Sequence, residues 1–264
     1  MPGPTASNRS PSAFRSAAGG GGQLRAATPA APRIMLRLCW AGAALCLAAR
    51  MQADWRAGAY LGAALTHATS VLIEQPSRNT RLEFRGVRFE DRSFEPPVYY
   101  GYRLGYFFGK LGIEAEFIHQ KVYARTERVV EVRGVWRGAE TSGRLPMNAL
   151  VEQFSISHGL NMLLVNAVLE KALSRRAFLD FRLGAGPTIP HPESCILGEC
   201  RQQYELGRPA WQAAAAMEFQ LWRGLHWLTE YKFTHTRQRV TIPAGSGETS
   251  LRSHHGVFGL SLRF

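Results

Sequence analysis

The sequence predicts an all-β fold, an eight-stranded antiparallel transmembrane β-barrel, on three observations. Apolar and polar side chains alternate with period 2 through most of the chain from residue 54 onward, so each such strand has one apolar and one polar face. The connections between these strands alternate between very short and long, as in a barrel whose two ends face different compartments. No apolar run approaches the ~20 residues that a membrane-spanning helix needs, so any membrane crossing must be made by strands.

The elements follow in order. A first strand covers about Trp55–Ser70, with Ala57, Ala59, Leu61, Ala63 and Leu65 on one face. A second covers Val98–Phe108, where Tyr100, Tyr102, Leu104, Tyr106 and Phe108 alternate with Tyr99, Gly101, Arg103 and Gly105. Gly109-Lys110 turns it into a third, Leu111–Ala124, with Ile113, Ala115 and Phe117 opposing Glu114 and Glu116. A fourth spans Leu150–Ala172, a fifth Ala177–Gly186, a sixth Tyr204–Trp222 and a seventh Leu225–Arg239. The eighth ends the chain, with Phe258, Leu260, Leu262 and Phe264 apolar and His255, Gly259, Ser261 and Arg263 between them. The remaining segments, 71–97, 125–149, 187–203 and 240–250, are expected as long loops, with Thr80–Phe89 rising from the first as a hairpin. A strand of this kind, last in the chain and ending on Phe, resembles the closing strand of bacterial outer-membrane barrels. Long loops are then extracellular and short turns periplasmic, and the even strand number puts both ends in the periplasm. An ordinary sandwich strand is the plainer alternative for the last segment taken alone.

The N-terminal part fits export. Residues 1–53 are expected to be a disordered or misassigned prefix plus a signal peptide, and residues 54–264 the barrel. Arg33 and Arg37 flank a short apolar run, Leu38–Ala49, followed by small residues that suit cleavage between Ala48 and Ala53. That N-terminal stretch holds six arginines and no acid, so the formal net charge of +12 falls to near +6 for the rest. The excess suits anionic lipid headgroups or phosphorylated sugars; no nucleic-acid motif accompanies it, and nucleic acid is not an expected partner. Cys39 and Cys46 lie in the leader, whereas Cys195 and Cys200, with four residues between them, are expected to close a small disulfide loop. Expected partners are outer-membrane lipids, lipopolysaccharide and the barrel insertion machinery.

An eight-stranded barrel is filled by side chains and is no pore. Its inward charges, Arg103, Glu114, Glu116, Asp180, Arg182, Glu218, Glu230, Lys232 and Arg263, nearly balance and read as an ion-pair plug. Toward the extracellular rim the topology gathers five signatures: Pro96–Arg103, Glu116–Tyr123, His158–Asn161, Pro190–Glu193 and Glu230–Lys232. Their His, Glu, Lys and Tyr side chains can act as acid, base, metal ligand or anion binder. Hydrogen-bonded rim residues and snorkelling lysines are the plainer reading of each.

These signatures resemble those of the lipid A oxidase family of outer-membrane proteins, over about Phe94–Phe264. The family's Pro-Pro-Tyr-Tyr-Gly stretch, His-x-Lys-x-Tyr strand end, Gly-x-Asn segment, Pro-His-x-Glu loop and Glu-Tyr-Lys strand match Tyr99–Arg103, His119–Tyr123, Gly159 and Asn161, Pro190–Glu193, and Glu230–Lys232. Val98 is inserted in the first of them, and Ser157-His158 precede Gly159. The resemblance implies oxidation of the proximal glucosamine of lipid A to an aminogluconate with molecular oxygen. It implies catalytic roles for Glu116, His119, Lys121, Asn161, His191, Glu193, Glu230 and Lys232, and substrate contacts from Tyr99, Tyr100, Arg103 and Tyr123. The sequence holds no flavin or nicotinamide fingerprint, which leaves a divalent metal ion on His119, His191 and Glu193 as the candidate cofactor.

Two other classes compete. A non-enzymatic barrel for structure, adhesion or ligand binding explains the topology equally well. A lipid A deacylase or acyltransferase needs a Ser–His pair on the lipid side, and adjacent strand residues such as Ser157 and His158 are expected to point to opposite faces.

Overall fold

Period-2 alternation, with small or apolar residues outward and largely polar ones inward in the lower half, builds the wall strands. The computed structural model describes residues 53–264; the expected prefix and signal peptide, with Cys39 and Cys46, lie outside the described residues. The strands are β1 Ala53–Thr66, β2 Thr69–Gln75, β3 Thr80–Val87, β4 Phe89–Glu90, β5 Tyr100–Phe108, β6 Leu111–Ala124 and β7 Val129–Trp136. They continue with β8 Ala139–Pro146, β9 Gln153–Ala172, β10 Ala177–Ile196, β11 Glu199–Gln202, β12 Gly207–Trp222, β13 Leu225–Ile242 and β14 Gly245–Arg263. Eight of them form the ring β1-β5-β6-β9-β10-β12-β13-β14, and β1 closes on β14 from Arg56↔Arg263 to Thr66↔Ser253. The eight strands expected from the sequence are the eight strands of this ring.

The pleat sends opposite chemistry to the two sides of the wall. Leu104, Ile113, Val165, Leu183, Phe258, Leu260 and Leu262 are exposed on the outside, while Arg103, Glu114, Glu116, Asp180, Arg182, Glu218, Glu230 and Lys232 are buried inside. Apolar outside and charged inside is stable only where lipid replaces water. The chain is therefore an integral outer-membrane β-barrel. Among the described residues no helix is long and apolar enough to cross a membrane.

The four segments expected as loops are largely strands. Wall strands β6, β9, β10, β13 and β14 run on past the membrane, and β2, β3 and β7 add to β14 in the order β14-β2-β3-β7-β8. Segment 80–89, expected as a hairpin, supplies a single strand, β3, which is one arm of a hairpin whose other arm is β2. Segment 125–149 is the β7–β8 hairpin, and 187–203 is the upper half of β10 with β11. Segment 240–250 is the tip of one long hairpin, turned by Pro243 and Ala244 alone, with Ala244 at φ 58°. The physical reason is a reversal of the alternation. Above the membrane the inward side chains are apolar: Val71, Ile73, Leu82, Phe84, Val132, Phe154, Val240 and Ile242 are at most 3% exposed. The outward ones are charged and paired, as in Arg81–Glu74 (3.1 Å), Arg85–Glu83 (2.9 Å) and Arg237–Glu248 (2.7 Å). The barrel thus has a polar lower core in lipid and an apolar upper core in water.

Candidate functional site

The pleat also divides the five rim signatures. Tyr99, Arg103, Glu116, Glu230 and Lys232 point inward. Glu116 accepts from Arg103 Nε (2.9 Å), Lys232 Nζ (2.6 Å) and Tyr60 OH (2.6 Å), as well as from Gln212 and Asn166. Glu230 pairs with Arg103 (2.5 Å), Arg182 (3.1 Å) and Lys232 (3.2 Å). Glu114 and Asp180 pair with Arg182 at 3.1 Å each. Tyr99 lies buried beside Tyr60 and His255. Each charge has opposite charges around it, which a low-dielectric interior requires. Tyr60, central to this network, was missed among the site residues; its even parity between Ala59 and Leu61 marks it as inward.

Tyr100, His119, Lys121, Asn161 and His191 lie instead on one outward patch of the β5-β6-β9-β10 wall, while Ile118, Gln120, Val122 and Leu160 between them belong to the interior. Tyr100, His119, Asn161 and Ile189 stand side by side in register across the four strands. Tyr100 stacks on His119, with ring centroids 4.9 Å apart and planes 15° from parallel. Asn161 Nδ2 donates to the Ile189 carbonyl (3.1 Å), so its Oδ1 is the acceptor that faces His119 Nδ1 at 2.8 Å. That network puts the proton of a neutral His119 on Nδ1 and leaves the Nε2 lone pair free. Nε2 is buried and has no partner.

Above this row the register shifts on both flanks of β9, between Gln120 and Val122 and between Pro190 and Pro192. The bulge at 157–159 is allowed by Gly159, whose φ is +116° and whose missing Cβ leaves room for the His119 ring. One sequence expectation fails here. Ser157 Oγ and His158 Nδ1 are 3.1 Å apart. A regular strand would point them oppositely, but the bulge turns both toward one another. His191 is 9% exposed and packs against His158 (4.6 Å) and Tyr204 (4.3 Å), with Nδ1 unpartnered. Lys121 donates to the Glu95 carbonyl (2.7 Å), and Tyr123 OH donates to the Ser157 carbonyl (3.2 Å). Burial, with the neighbouring His158, pulls the His191 imidazole below its ordinary value.

His119, His191 and Glu193 do not converge. Among the described residues no three His, Cys, Asp or Glu side chains group as a metal site requires. His119 and Asn161 lie below the bulge, whereas Glu193 sits beyond it opposite Ser155. The donor set does not fit a three-ligand metal.

Outward histidines elsewhere are satisfied. His254 is bonded through Nδ1 to Tyr231 OH (2.5 Å) and through Nε2 to His67 (2.6 Å). His235 is bonded to Trp211 (3.0 Å) and Ser250 (3.0 Å). These belong to the polar and aromatic girdle of a membrane barrel. The His119–His191 patch differs from the girdle in holding two buried, unpartnered imidazole nitrogens.

No protein-family model matches the chain, and no curated protein matches it in sequence. Among solved structures it is similar to the attachment invasion locus protein Ail of Yersinia pestis, at 12% identity and a TM-score of 0.34. It is also similar to Neisserial surface protein A, at 8% identity and 0.38, and to the outer membrane protease OmpT of Escherichia coli, at 9% and 0.44. Each match covers 80% of this chain and 97% of the other. The placement in the outer membrane rests on the barrel's own surface, described above.

Proposed function

We propose that this barrel modifies lipid A in the outer leaflet, oxidising its proximal glucosamine to an aminogluconate as the resemblance to lipid A oxidases implies. The observation that carries the reading is the free Nε2 of His119 in an outward row set directly above the lipid-facing wall. A neutral imidazole with Nδ1 fixed by Asn161 is a general base. There it would take the proton of the sugar C1 hydroxyl, while C1 gives up its hydrogen with two electrons to molecular oxygen, which with that proton leaves as hydrogen peroxide. Hydrolysis of the resulting lactone adds one water, so that two hydrogens lost and one water gained leave the lipid one oxygen atom heavier. Lys121 would hold a phosphate or the new carboxylate. No step is assigned to a metal, because His119, His191 and Glu193 do not assemble.

A second reading has its own observation. The contact between Ser157 Oγ and His158 Nδ1 is that of a nucleophile with its base, and favours hydrolysis of an acyl ester. Mass spectra of lipid A from cells with and without the chain, grown with and without oxygen, separate the readings. Oxidation gives an oxygen-dependent gain of one oxygen atom. Hydrolysis gives loss of an acyl chain in either condition, and a structural barrel gives no change.

A further inference from the structure

The lipid-facing wall beneath the His119 row is grooved. Going down from that row, Tyr102, Phe117 and Leu163 stand in register, then Leu104, Ala115, Val165 and Ala185, then Ile113, Ala167 and Leu183. Bulky side chains face lipid along this path, but Ala115, Ala167 and Ala185 recede between them. A shallow depression, open on its lipid side, lies against Tyr102, Ala115, Phe117, Leu163 and Pro187. A second, shallower one continues it past Ile113, Ala167, Leu183 and Ala185, and the two share Val165. From His119 to Ile113 the strand covers about 20 Å, enough to reach across one leaflet of a ~30 Å hydrocarbon core.

The upper end of the groove is polar and cationic. His119 is 5% exposed with Nε2 unpartnered, and Lys121 is 3% exposed, held by the Glu95 carbonyl and paired with no carboxylate among the described residues. Phe94 (76% exposed), beside the Glu95 carbonyl, and Tyr204 (62% exposed), against His191, flank this end at headgroup height. A buried ammonium and a free imidazole nitrogen above an apolar channel match one amphiphile: an anionic sugar headgroup joined to an acyl chain.

We propose that the groove is the acyl-chain subsite for lipid A, seating one chain along Ala115, Val165 and Ala185 so that the headgroup meets Lys121 and His119. The proposal rests on the reading of lipid A as substrate and adds how it is held. Filling the groove from the lipid side leaves the buried core untouched, so Ala115→Trp should fold. Ala215→Trp, on the outward face of β12 opposite Phe181 and one strand beyond the groove's edge at Leu183, is the control.

The test measures retention of lipid A by wild type and both variants, purified in detergent micelles supplied with lipid A and read by native mass spectrometry. Lipid A mass in the producing cells is read alongside, and heat-modifiable migration reports folding. The expected result is folded Ala115→Trp with retention lowered on the order of tenfold or more (about 1.4 kcal/mol), and Ala215→Trp like wild type. Wild type that retains no lipid A, Ala115→Trp that retains it fully, or equal loss in both variants overturns the groove. If Ala115→Trp does not fold, Ala185→Trp is read by the same criteria. If lipid A mass never changes but retention follows the expected pattern, the oxidase reading fails and the subsite stands.

Discussion

His119 Nδ1 and Asn161 Oδ1 face each other across β6 and β9 at 2.8 Å, and this contact fixes which nitrogen of the ring carries the proton. Asn161 thereby acts through His119 and is a positioning residue. His119→Ala should lower lipid A modification by about 10²–10⁴-fold, the usual worth of a general base. Asn161→Ala should lower it by about tenfold or more and move its pH profile, since both tautomers then become accessible. Unchanged activity and pH profile in Asn161→Ala would remove the assigned role.

Glu116 should behave as a structural group. It is buried between Arg103 and Lys232, so Glu116→Gln leaves two buried cations short of a charge and should cost about 3–5 kcal/mol. Unfolding of the detergent-solubilised barrel in urea measures this. A midpoint equal to wild type would mean the interior charges do not depend on one another.

Much of this was legible in the sequence. Period-2 alternation placed the eight ring strands, and parity placed Glu116, Glu230 and Lys232 inside. The gathering of His119, Lys121, Asn161 and His191 at one end followed from the topology. Two things were not legible. The alternation reverses chemically above the membrane, so Val240 and Ile242 read as the start of a loop when they are the core of the strand's extension. The bulge at 157–159 depends on shifts in both neighbouring strands, which no local pattern around Gly159 displays, and strict alternation therefore separated Ser157 from His158 wrongly.

His191 supplies a pH test. Its imidazole is lowered from 6.5 by burial and by His158, so the folded chain binds that proton less tightly than the unfolded one. The neutral ring's contribution to stability is present above pH 6.5 and is lost as pH falls from there through the lowered value. NMR titration of ring-labelled histidine should give a midpoint below 6.5 for His191. A midpoint at or above 6.5 would contradict the packing of His191 between His158 and Tyr204.

Cys195 and Cys200 are bonded, with an S–S distance of 2.06 Å, at the tip formed by β10 and β11. Surface alkylation without reductant should therefore find no free thiol. Replacing both by Ser should cost about 2 kcal/mol in the chain-entropy account and leave the barrel closed. Alkylation of either cysteine in unreduced protein would refute the bridge.

The central claim is that the outward His119 row does chemistry on lipid A while the inward charges only hold the barrel. Lipid A mass from aerated cells producing wild type or His119→Ala tests it most directly, with heat-modifiable migration showing both folded. The prediction is a gain of one oxygen atom with wild type and none with His119→Ala. An unchanged mass with folded wild type, or an undiminished gain with folded His119→Ala, would contradict it.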